Sequence, residues 1–181
     1  MVLSKNMQKL VAGSSTIRKL FEEGIELAKE VGAENVYDFS LGNPAAPVPE
    51  EVKKSIYDIL ENRNANFVHC YMPNAGYPEV REKVAANLNK KYNSSFTKDD
   101  IIMTVGAAGG INCVLRSLLE PEDEVLCFAP FFGEYNSYVM NFGGNLKVVP
   151  ADYETFQLNV EEADKYITER TKAVIINNPN N

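Results

Sequence analysis

Apolar and polar positions alternate along this chain with two different periods. Ile17, Leu20, Phe21, Ala28 and Val31 recur at helical intervals and stop at Gly32, which predicts a helix from about Ser15 with Ser14 or Ser15 as its cap. Residues 1–14 are polar and read as an arm. Val36–Leu41 alternates as a short strand does, then meets Gly42-Asn-Pro-Ala-Ala-Pro-Val-Pro49, too rich in proline for regular structure. Pro49-Glu50-Glu51 opens a second helix with Val52, Ile56, Ile59 and Leu60 as its buried face. Residues 61–76 read as irregular. Pro78 then starts an amphipathic helix on Val80, Val84 and Leu88 that closes near Lys90-Lys91.

From residue 100 the pattern becomes strand–helix–strand. Ile101–Val105 is apolar and β-favouring, Gly106–Gly110 is a run of small residues, and Ile111, Val114, Leu115 and Leu118 carry a helical face. Strand, glycine-rich turn and helix start aim free N–H groups and a positive dipole end at one point, which suits an anion such as phosphate. A tight strand–helix turn with close packing is an equal reading of the same residues. The stretch is not a P-loop, since no Gly-Lys-Ser/Thr follows, and its glycines lack the dinucleotide spacing.

Pro121–Glu124 reads as an exposed turn, and Val125–Ala129 as a buried strand broken by Pro130. A helix from about Glu134 to Phe142, a Gly143-Gly144 turn and a strand at Leu146–Val149 follow. A helix from Asn159 or Val160 to about Ile167 precedes a last buried strand, Ala173–Ile176, which runs into Asn177-Asn-Pro-Asn-Asn181. This alternation predicts an α/β unit with a mainly parallel sheet, whose ligands bind beyond the carboxyl ends of the strands. Gly106–Gly110, Pro130–Phe132 and Asn177–Asn181 each follow a predicted strand and are expected to converge at one edge.

Composition narrows the class. The 181 residues are 45% apolar, enough for a core in one domain or slightly more. A net charge of −7 argues against nucleic acid or an anionic membrane as partner. No apolar run approaches the roughly 18–20 residues of a membrane span, and polar residues interrupt residues 1–18 throughout, unlike a signal peptide. Cys70, Cys113 and Cys127 lack a C-x-x-C spacing and read as buried, reduced thiols, as expected of a cytoplasmic protein. With His69 as the single histidine, a His/Cys metal cluster is not expected.

Several motifs stand together in a familiar order: Ser40-Leu-Gly-Asn-Pro44, Tyr71, Gly76-Tyr-Pro-Glu-Val-Arg81, Thr104-Val-Gly-Ala-Ala-Gly109, Pro121-Glu-Asp-Glu-Val125, Pro130-Phe-Phe132 and Asn177-Asn-Pro-Asn-Asn181. From about residue 15 the chain resembles the class I (class I/II) aminotransferases of pyridoxal-phosphate fold type I. The resemblance implies an α/β fold, the large domain of a type I pyridoxal-phosphate transferase, incomplete, with an N-terminal arm and small-domain segment. Residues 1–48 are then the arm, a helix and the lead-in to the small domain, and 49–181 the first half of the cofactor-binding domain.

The resemblance also implies site residues for pyridoxal 5'-phosphate. Gly106, Ala107 and Ala108 would meet its phosphate through backbone N–H groups, with Ala where relatives often carry Ser, Thr or Lys. Phe132 would stack on the pyridine ring, and Asn181 would hydrogen-bond the phenolic oxygen. Tyr71 would reach the phosphate of a partner subunit in a homodimer, and the Gly42 N–H would meet the substrate α-carboxylate. Phe131 is expected in the core, His69 packed or solvated, and Arg81 and Arg116 structural. No catalytic residue is assigned, because the Schiff-base Lys of the family is expected downstream of Asn181.

The implied activity is transfer of an amino group between an L-amino acid and a 2-oxo acid. The 181 residues are expected to be an N-terminal fragment, inert alone. A pyridoxal-phosphate lyase of the same fold, or a non-catalytic module binding a phosphate ligand, would share these motifs.

Overall fold

Helices form in the first 70 residues where the apolar stripes predict them, but Leu20, Val31, Val52, Ile56, Ile59 and Leu60 of those stripes are exposed. The computed structural model describes residues 2–12, 16–39, 42, 46–152, 154–155 and 157–178. It divides into two compact units, Met1–Cys70 and Tyr71–Asn181.

In the first unit α1 spans Lys5–Ala12, α2 Thr16–Val31, α3 Glu50–Asn62 and α4 Ala65–Val68. α2 ends at Gly32, whose φ of 90° leaves helical space; Ser14 and Ser15 lie outside the described residues. α1 replaces part of the expected arm because Ser4 caps it, its Oγ accepting from the Met7 N–H at 3.1 Å. Val36–Phe39 is not a strand, and Tyr37 and Phe39 are exposed; residues 40 and 41 lie outside the described residues. Alternation only makes a segment competent to pair, and no strand of this unit pairs with it among the described residues. Val52, Ile56, Ile59 and Leu60 are exposed rather than buried. An apolar stripe needs an opposing layer, and the described residues of this unit supply none.

In the second unit α5 spans Pro78–Tyr92, with Pro78 in the first turn where its missing N–H is harmless. A 3₁₀ turn at Lys98–Asp100 is closed by a Thr97–Asp100 capping box. Then come α6 (Gly106–Leu118), β1 (Glu124–Phe128), α7 (Glu134–Met140), β2 (Asn145–Val149), α8 (Val160–Ala163) and β3 (Thr171–Ile175). The three strands form one sheet in the order β2-β1-β3, and both pairings are parallel. Register places Val125 opposite Leu146 and Ala173, and Cys127 opposite Val148 and Ile175.

Each face of the sheet has its own core, as strand alternation requires. On one face Val125 packs with Leu115 and Leu119 from α6 and its C-terminal end and with Val139 from α7. On the other, Leu126, Phe128 and Val149 pack with Ala163 of α8, flanked by Leu158 and Tyr166. Helices cover both faces of a parallel sheet, the α/β arrangement expected.

Four details differ from expectation. Ile101–Val105 is extended but unpaired among the described residues, with Ile102 and Val105 exposed. α8 stops at Ala163 rather than near Ile167. Among the described residues β3 is an edge strand, with Val174 exposed and Ile176, just beyond it, exposed as well, not a buried strand.

The fourth is the Pro121–Glu124 turn, which buries its last two acids. The Asp123 carboxylate accepts the Glu120 N–H at 2.9 Å. Glu124 accepts from the Thr168 hydroxyl at 2.7 Å and pairs with Lys147 at 3.2 Å. These partners make burial tolerable. All three cysteines are free, but only Cys127 is buried. Cys113 is exposed because Ile111, Leu115 and Leu119 define the face of α6 turned to the sheet, and position 113 lies across the helix from it.

Candidate functional site

The small residues Gly106–Gly110 are the first turn of α6, not a loop before it. Helix geometry leaves the amides of Gly106, Ala107 and Ala108 without a carbonyl four residues back. Gly106 N–H donates to Thr104 O at 3.0 Å. Val105, at the cap, offers no side-chain acceptor. The Ala107 and Ala108 N–H groups therefore leave the positive end of α6, and both residues are exposed.

Gly106 has φ of 69°, with open space where a Cβ would stand. Its requirement for glycine is conformational. Gly110 differs: a Cβ there would lie 3.2 Å from the Thr104 Oγ1, and that hydroxyl donates to Gly106 O at 3.0 Å. The turn is thus tied to the residue that precedes it.

β1 and β3 run parallel and finish at one end of the sheet, bringing together the residues that follow them. Phe131, after β1, and Asn177, after β3, line a cleft with Cys127, Tyr135 and Ile175, holding about 10 Å³ of free space. Burial pushes the Cys127 thiol up to about 11, so it stays neutral and unreactive. α6 has its C-terminal end beside Val125 at the start of β1, so its axis carries Ala107 and Ala108 toward the opposite end of the strands.

Phe132 is 38% exposed. Its ring meets Tyr135 edge-on, centroids 5.7 Å apart and planes at 83°, so the two rings are not stacked. The Tyr135 N–H donates to Phe132 O at 3.0 Å. Tyr135 is itself buried. Sequence reading passed over Tyr135; its signal was the spacing of three from Phe132 at a helix start.

Of the remaining predicted positions, Tyr71 and Gly42 are among the described residues. Tyr71 is fully exposed. Gly42 belongs to the first unit and is exposed, with nothing within 4 Å of a Cβ built on it. Asn181 lies outside the described residues. Among the described residues no helix is long and apolar enough to cross a membrane.

Residues 33–181 match the family model for Aminotransferase class I and II. The chain belongs to that family. It is 36% identical to aromatic-amino-acid aminotransferase 2 of Thermococcus litoralis, over 100% of this chain and 44% of that protein. It is equally 36% identical to an aspartate aminotransferase of Pyrococcus abyssi, over 92% of this chain and 41% of that one. Among solved structures, an amino transferase from Eubacterium rectale matches with a TM-score of 0.94 at 39% identity, over 100% of this chain and 46% of its own. The Thermus thermophilus aspartate aminotransferase with maleate matches at 0.83 and 29%, over 100% and 46%. The chain therefore spans under half the length of these relatives, and its α/β fold is that of the type I aminotransferases over this part.

Proposed function

We propose that the protein carrying these residues is a pyridoxal-phosphate-dependent aminotransferase, moving an amino group between an L-amino acid and a 2-oxo acid. The observation that carries this is the pair of uncapped Ala107 and Ala108 amides at the positive end of α6, in a chain of this family. A phosphate dianion needs N–H donors and a positive dipole end, and both are present. A pyridine ring needs a flat apolar face, and the unstacked Phe132 ring offers one. Bound, the cofactor supplies an electron sink for the substrate carbon whose bonds change.

In this reading Gly106, Ala107 and Ala108 hold the phosphate and Phe132 holds the ring. Asn181 donates to the phenolic oxygen, and the Gly42 N–H orients the substrate carboxylate. These groups do not titrate, so their part is binding and orientation. Tyr71 reaches the phosphate of a partner subunit in a cytoplasmic homodimer. Residues 1–48 serve as arm and lead-in, and 49–181 as part of the cofactor-binding domain.

Aspartate and aromatic amino acids, after which relatives are named, are the first substrates to try. The complete polypeptide, given pyridoxal phosphate, an amino acid and 2-oxoglutarate, is expected to form glutamate and the matching 2-oxo acid in equal yield. Release of carbon dioxide or ammonia instead, or no product with cofactor bound, overturns the reading.

A further inference from the structure

Ile101–Val105 delivers the chain to the anion-binding turn, yet no strand pairs with it among the described residues. What holds it comes from the turn before α5 and the first turn of that helix. Arg81 Nη1 donates to Lys98 O at 2.8 Å and to Ile101 O at 3.4 Å, with its side chain only 13% exposed. The Asp99 carboxylate lies 4.0 Å away and is itself exposed, so the two carbonyls are the closer partners. Arg81 Nε is buried with no partner among the described residues.

Two residues further along the segment, Met103 N–H donates to Ala75 O at 3.0 Å. Gly76 makes that approach possible. It is buried, its φ is 95°, and a Cβ on it would stand 2.6 Å from Met103 Cγ. Gly76 and Arg81 thus grip the same short segment, Arg81 at its start and Gly76 at its middle. That segment ends at Thr104, whose carbonyl and hydroxyl bind Gly106.

We infer that Arg81, with Gly76, is a positioning residue for the phosphate-binding turn, acting through Ile101–Thr104 on the direction of the Ala107 and Ala108 amides. The inference rests on the cofactor reading above. Hydrogen bonds to a charged ligand are steep in geometry, so a segment that shifts loses phosphate binding before it loses the fold.

The test compares affinity for pyridoxal phosphate with affinity for pyridoxal, which lacks the phosphate, in the complete polypeptide. R81M is expected to lose roughly tenfold of the phosphate preference, about one charge-assisted hydrogen bond, while pyridoxal affinity is unchanged. R81K, which keeps the charge and reaches one carbonyl, is expected to fall between R81M and wild type. An unchanged preference in R81M, or in R81K if R81M does not fold, overturns the inference. Equal losses for both ligands also overturn it, since they mark a general structural role. A wild type that binds both ligands alike overturns the cofactor reading itself, before any variant is compared.

Discussion

Gly76 and Gly106 both sit at positive φ, but for different reasons. At Gly106 the space beside the backbone is open, so G106A meets only the conformational penalty, about 1 kcal/mol. At Gly76 the same penalty is joined by overlap with Met103. G76A is therefore expected to lower the urea midpoint more than G106A, and M103A in the G76A background to recover only part of the loss, since it removes the Cγ overlap but keeps the Cβ, 2.8 Å from the added carbon, and the strain. Glu124 makes a prediction in pH. The Thr168 hydroxyl, and after burial's opposing effect Lys147, hold its carboxyl below the usual range. Between that value and the unfolded one, about 4.3, the unfolded chain binds more protons. Stability that is fully present above this window is lost as pH falls through the folded value. E124Q is expected to be less stable at neutral pH and to flatten that acid limb, as read by denaturation from pH 7 downward. Neither Glu124 nor Asp123 was legible as buried, because a proline followed by three acids looks like solvent-facing turn. The run of small residues at Gly106 was legible as a turn, but its positive φ was not, because close packing of strand and helix asks for small residues equally well.

At the scale of the element, α6 carries the argument. Its cap, Val105, is exposed and contributes no acceptor. V105D would supply one for the amides of the first turn, stabilising the helix by about 1 kcal/mol. The same carboxylate would occupy and repel what an anion needs, so V105D is expected to raise the thermal midpoint and weaken pyridoxal-phosphate binding together. A gain in stability with binding unchanged would separate the phosphate from this helix end. Helix stripes on α2, α3 and α5 could be read directly, since a period of 3.6 is a local property. The start of α6 was misplaced by about a turn, because small residues carry no apolar signal from which to count.

Across the whole molecule, protection should follow burial. β1 is buried along its full length with a core on each face, whereas none of the described residues from 19 to 70 is buried. Native-state hydrogen exchange is expected to be slowest at Val125–Phe128 and faster by orders of magnitude through α2 and α3. Comparable protection in α3 and β1 would contradict the exposure of Val52, Ile56 and Leu60. The sequence by itself determined what is local: helix stripes, the strand–helix alternation and the run of small residues at Gly106. Only the tertiary structure decided which strands pair, with Ile101–Val105 and Val36–Phe39 left unpaired among the described residues, and which stripes find a layer to cover them. Pairing and burial join segments far apart in the chain, as Thr168 joins Glu124 across 44 residues, and no period within a single segment encodes its partner.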